Sequence, residues 1–75
     1  MQRDAFLKEL GLRIRELRLK KGLTQQFVAA ALNKEQQSYQ RIEAGNTNAS
    51  IYYLYEISQV LDVDLSEITK DLPQH

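Results

Sequence analysis

The chain has no cysteine, no tryptophan, one proline, three glycines and one histidine in 75 residues. Without cysteine there is no disulfide framework and no thiolate zinc site. The histidine is His75, the last residue, where a ligand would hang on a fraying end. Neither a metal nor any other cofactor is expected. Long apolar runs are missing too. The longest, residues 27–32, is far short of the roughly 20 residues that cross a bilayer. The opening Met1-Gln2-Arg3-Asp4, followed by charges every few residues, is unlike a secretory leader. The expected location is the cytoplasm, without membrane contact. Catalytic machinery is equally scarce. Ser38, Ser50, Ser58 and Ser66 have no histidine within the folded part to activate them. The acidic residues lack metal-ligand spacing, and the glycines form no phosphate-cradling loop. No enzyme is expected.

What is present is charge, and it is polarised. Net charge is zero, yet residues 1–34 carry eight basic and three acidic side chains (+5) and residues 35–75 two basic and seven acidic (−5). Such a molecule can turn a positive face to phosphate while its other end stays negative. The same charges also suit ordinary solvated helix surfaces.

Seventy-five residues predict a single domain, 1–75, with a thin core. The apolar spacing is helical throughout, and no stretch alternates at period two. Leu7, Leu10, Ile14 and Leu17 make one stripe of a helix from about Asp4 to Lys21. Lys20 and Lys21 suit the negative end of its dipole, and Gly22 ends it. Thr24 is a good cap for a second helix with Phe27, Val28, Ala31 and Leu32 on its apolar face, stopping at Asn33. A third runs from about Glu35 to Ala44 and ends at Gly45. Residues 46–50 form a loop. A fourth covers Ser50 to Leu61, with Ile51, Leu54, Ile57 and Leu61 on its stripe and Tyr55 packed against the core. Tyr52 and Tyr53 fall off that stripe. Asp64-Leu65-Ser66-Glu67 has a capping-box spacing that opens a short fifth helix.

Two features single out the second and third helices. Asn33 must redirect the chain within about three residues, which requires a left-handed residue, and Asn tolerates that conformation better than other non-glycine residues. On a wheel of about 100° per residue, Gln36, Gln37, Gln40 and Arg41 share one side of the third helix, opposite Tyr39 and Ile42. A glutamine amide matches the N6 and N7 pair of adenine, and arginine the O6 and N7 pair of guanine. The wheel alone fits a base-reading face and a glutamine-rich solvated face equally well.

From Gly22 to Gly45, GLTQQFVAAALNKEQQSYQRIEAG resembles the helix-turn-helix of the phage repressor and Cro family, also called the Xre family. The resemblance extends to the lead-in IRELRLKKGLTQ and the tail LYEISQVLDVDLSEI. It implies an all-α, lambda-repressor-like bundle of five helices with the helix-turn-helix at about residues 24–43. It further implies a sequence-specific regulator of transcription, most often a repressor, that binds duplex DNA at palindromic operators as a homodimer. Under this resemblance Gln36, Gln37, Gln40 and Arg41 contact base edges. Thr24, Gln25, Lys20, Lys21 and Lys34 serve the phosphate backbone, and Gln25 can also brace the first reading residue. Ala29 is the small residue that lets the second and third helices approach. Arg18 and Glu43 form a partly buried ion pair.

Three positions depart from the family pattern. Asn33 stands where glycine is usual. Glu35 replaces the usual Ser or Thr, and a capping role is expected for it. The loop Asn46-Thr47-Asn48 carries no basic residue. Dimer contacts are expected from the region of the fourth and fifth helices, through Val63, Leu65, Ile68 or Leu72. Two alternatives share the fold: an antitoxin-type module that binds a protein partner and its own promoter, and the controller protein of a restriction–modification system.

Overall fold

The apolar stripe of the first helix sets the frame for the others. In the computed structural model, which describes residues 3–72, α1 spans Arg3–Lys20 and buries Leu7, Leu10 and Ile14. Leu17, on the same stripe, is only half-buried. Gly22 ends the helix with φ 71°, and the Leu23 amide reaches back to the Arg18 carbonyl at 3.2 Å, a closure that satisfies an otherwise orphaned acceptor.

Helix α2, Gln25–Ala31, starts where the Thr24 hydroxyl accepts from the Phe27 amide at 3.0 Å. Its inner residues are Val28 and Ala29, joined by Leu32. Phe27 and Ala31, expected on the apolar face, instead lie outside, with Phe27 54% exposed. The helix makes only two turns, and α3 and α4 cover a single arc of it, centred on Val28. The turn after it places Asn33 at φ 59°.

Helix α3, Gln36–Ala44, begins with Glu35 in extended conformation, and the Glu35 side chain makes no capping bond. Asp, Asn, Ser and Thr reach the free amides of a first turn; the longer glutamate does so poorly. Gly45 closes α3 at φ 75°, and its α-carbon lies against Lys8, whose Cα is 2.6 Å from where a Cβ would stand. No other residue fits there.

Helix α4, Ile51–Leu61, is capped by Ser50, which accepts from the Tyr53 amide at 3.0 Å. Leu54, Ile57, Ser58 and Leu61 are buried. Two expectations are corrected. Ile51, first in the helix, overhangs the core and is 66% exposed. Tyr55 is exposed, whereas Tyr53 is half-buried with its hydroxyl shielded from water. At about 100° per residue Tyr53 lies about 40° from Ile57 and Tyr55 about 160° from it. Burial raises the Tyr53 pKa above its ordinary value, helped by the nearby Glu56 carboxylate.

Helix α5, Leu65–Thr69, follows Asp64, whose side chain makes no capping bond. Glu67, the other half of the expected capping box, pairs with Lys70 at 3.4 Å instead.

The helices pack as α1 on α3 and α5, α2 on α3 and α4, and α4 on α5. All five supply one core, including Ile14, Val28, Tyr39, Ile57 and Ile68. A fully buried aliphatic side chain of this kind stabilises the fold by about 1.5–3 kcal/mol. Ile68 and Leu72, expected at a subunit interface, belong to this core. Such a small domain needs them inside. Val63 and Leu65 are half-buried. There is no strand among the described residues.

Candidate nucleic-acid interface

Helix α3 has two unlike faces. Tyr39, Ile42 and Glu43 point inward and are buried. Gln36, Gln37, Gln40 and Arg41 point outward and are exposed, and none of these side chains has a hydrogen-bond or ion-pair partner among the described residues. Three amide forks and one guanidinium therefore stand free, with donors and acceptors unspent. A helix of this width enters the major groove of B-form DNA, where such groups find complementary base edges.

The inner face is held by a polar cluster. The Arg18 guanidinium donates from Nε to Glu43 Oε2 at 2.6 Å and from NH2 to Oε1 at 3.0 Å. Its NH1 donates to the Leu23 carbonyl at 2.8 Å. Gln25 Nε2 donates to Glu43 Oε1 at 3.0 Å, and the Tyr39 hydroxyl donates to Oε2. A carboxylate offers about four acceptor sites, and Glu43 uses them all. Burial by itself raises the Glu43 pKa, but hydrogen bonds from Arg18, Tyr39 and Gln25 outweigh it and hold the carboxyl below its ordinary value. The same contacts raise Arg18, with the Glu43 hydrogen bond foremost. Burial and then Glu43 push the Tyr39 phenol upward. The ion pair expected from the family pattern thus forms the centre of a larger cluster that fixes α3 to α1 and to the start of α2.

The remaining candidates are scattered around this centre. Gln25 is tied to Glu43 rather than to a reading residue. The Thr24 hydroxyl accepts within its own helix and keeps its proton to donate. Ala29 is buried within the common core. The Lys34 ammonium lies 5.3 Å from the centre of the Tyr53 ring, a cation–π distance. Lys21 reaches the Asp62 carbonyl at 3.4 Å. Lys20 lines a recess with Arg13, Glu67 and Lys70, between α1 and α5. Gln36 and Gln40 therefore share one groove with Thr24 and Gln25, Gln37 and Arg41 border a second recess with Gln40, and Lys20 and Lys21 occupy other faces.

Two neighbours of α3 escaped the sequence reading. Arg15 and Gln26 line an open groove together with Gln36 and Gln40. On the other flank, Asn46 lies beside Gln37, Gln40 and Arg41. The signal for Arg15 was its spacing, four residues after Gly11 and three before Arg18, which puts it on the side of α1 that meets α3.

No group of three or more His, Cys, Asp or Glu side chains among the described residues can hold a metal ion. His75 lies outside the described residues. No described helix is long and apolar enough to cross a membrane.

The model of the family described as Helix-turn-helix matches residues 14–68. The chain belongs to the helix-turn-helix family. Domains of this family bind DNA, and the chain is a DNA-binding regulator of this class. Among solved structures it is similar to the restriction-modification controller protein C.AhdI from Aeromonas hydrophila, at 31% identity and TM-score 0.79, covering 83% of this chain and 94% of that one. It is similar to a chain of the SinR–SinI protein complex at 30% identity and TM-score 0.75, covering 83% of this chain and 61% of that one. The clp gene regulator ClgR from Corynebacterium glutamicum shares the fold at 22% identity and TM-score 0.82, covering 85% of this chain and 68% of that one. No curated protein sequence gives a match. The all-α, five-helix architecture expected from the phage repressor and Cro resemblance is the observed one.

Proposed function

We propose that the protein represses transcription by inserting α3 into the major groove of a specific duplex, with Gln36, Gln37, Gln40 and Arg41 on base edges. The observation that supports this reading most is that those four side chains have no partner among the described residues and stand above a rigidly anchored inner face. Thr24 and Gln25 at the start of α2 serve the backbone, with Lys34 nearby. Lys20 and Lys21 act through their field rather than by contact. The protein is a binding protein of the cytoplasm, not an enzyme.

The test is selection of bound duplexes from a random library, followed by binding of Gln37→Ala and Arg41→Ala to the selected duplex and to a scrambled one. Both variants lose preference if α3 reads the sequence. Retained preference in both removes α3 from that role.

One short helix reads few base pairs, so a homodimer on a palindromic site is part of this reading, with reading helices about 34 Å apart. The outward ridge of α4 supports it: Ile51 and Tyr52 are each 66% exposed, and the Tyr52 and Tyr55 rings lie 6.2 Å apart. Sedimentation with the selected duplex gives two chains per site. A single chain saturating a full-affinity site contradicts the dimer.

A more specific reading is that of a restriction–modification controller, favoured by the near full-length similarity to C.AhdI. A restriction endonuclease and methyltransferase encoded beside this gene, with the selected sequence in their promoter, is the expected finding. A toxin in that place favours the antitoxin alternative.

A further inference from the structure

The groove between α1 and α3 carries a charge that nothing among the described residues uses. Its charged lining residues are Arg15, Arg18 and Glu43. Arg18 and Glu43 neutralise each other. Arg15 is exposed and has no hydrogen-bond or ion-pair partner among the described residues. Its neighbours in the groove include Gln26, Gln36 and Gln40, so Arg15 borders the same groove as the first turn of the proposed reading helix. Arg13, two residues earlier, shows the contrast: it is spent on the Glu67 and Lys70 carbonyls, at 3.1 and 2.8 Å.

A helix lying in the major groove has a sugar–phosphate strand on each side, in a groove about 12 Å wide. The two flanks of α3 differ. Asn46 borders one and is uncharged, whereas Arg15 and Gln26 border the other. From this asymmetry we infer that the groove between α1 and α3 is a seat for one DNA phosphate, with Arg15 supplying the charge and the Gln26 amide a hydrogen bond. The inference rests on α3 being the reading helix. It assigns a DNA contact to Arg15, a residue of α1 to which the sequence reading gave no role; Lys20, at the end of that helix, was the α1 residue expected on the backbone. A guanidinium suits this seat because its fork matches two phosphate oxygens at once.

The experiment measures affinity for the selected duplex and for its scrambled counterpart across salt concentrations. Arg15→Ala loses about fivefold affinity for both at about 0.15 M salt, and the slope of log affinity against log salt falls by about one, the signature of one released counterion. Arg15→Lys keeps the slope. Lys70→Ala removes the same charge from the recess between α1 and α5, which no α3 residue lines, and leaves the slope unchanged. A thermal melt of each variant shows that the fold is intact. An unchanged slope and affinity in Arg15→Ala overturns the seat, and so does a loss confined to the selected duplex, which makes Arg15 a base contact. Loss of preference in Gln37→Ala or Arg41→Ala, measured alongside, keeps α3 as reader even where the seat fails. Retained preference in both overturns the two together.

Discussion

Gly11 of α1 lies against the main chain of α3, so that a Cβ on it would stand 2.3 Å from the Glu43 carbonyl oxygen and 2.6 Å from that of Ile42. These oxygens belong to a helix backbone and cannot swing aside. Elsewhere in a helix, alanine stabilises by about 1 kcal/mol relative to glycine. Here the sign reverses. Gly11→Ala forces α1 and α3 apart and lowers stability by about 1–3 kcal/mol. Urea unfolding measures it, and a gain in stability would mean that the two helices are not in contact.

Glu43→Gln leaves the Arg18 guanidinium buried without its counter-charge. Breaking one partner of a buried pair costs about 3–5 kcal/mol, against about 0–1 kcal/mol for an exposed pair. The carboxylate also gives stability a pH dependence. Its folded pKa is depressed below the ordinary 4.5. Its stabilisation is therefore complete above that value and is lost as pH falls through the lower, folded pKa. Wild-type stability declines on the acid side, and Glu43→Gln flattens this part of the profile. Denaturant melts between neutral and strongly acidic pH check both the size and the sign.

Asn33 occupies the left-handed region at φ 59°. Glycine there removes the strain but widens the unfolded ensemble, so Asn33→Gly keeps stability or raises it by up to about 1 kcal/mol. Asn33→Ala lacks both the glycine freedom and the local asparagine hydrogen bonding, and lowers stability by about 1 kcal/mol. Thermal melting of the pair separates a strained turn from an unstrained one, in which Asn33→Ala would be neutral.

Gln37→Ala removes one amide fork from the outer face of α3. Discrimination at a single base pair falls by about 1–3 kcal/mol. The melting temperature stays level or rises slightly, because the side chain is exposed and alanine is the better helix former. Competition binding with duplexes altered one pair at a time locates the affected position. An equal loss across all duplexes would make Gln37 a backbone contact.

The five helices and the division of α3 were legible because both rest on periodicity, which survives in a single sequence. Arg18 and Glu43 were legible as a pair through family spacing. Which arc of a helix faces the core was less so. Phe27 and Tyr55 are apolar enough to read as interior, yet the arc that neighbouring helices cover passes through Val28 and Ile57, and this is settled by tertiary packing. Gly11 inside a helical stripe reads as a weak helix former, and its purpose appears only with the α3 carbonyls beside it. The Gln25 bond to Glu43 joins residues on different helices, and nothing local announces it. Glu35 and Asp64 had suitable positions for capping, but position alone does not make a side chain turn back.

The two faces of α3 share no side-chain hydrogen bond. Anchorage belongs to Tyr39, Ile42 and Glu43, and under the proposed function the lettering falls to Gln36, Gln37, Gln40 and Arg41. The second set can be rewritten while the first keeps the helix where it is. A descendant of this chain can thus acquire a new address on DNA by exchanging a few exposed side chains, without relearning how to fold.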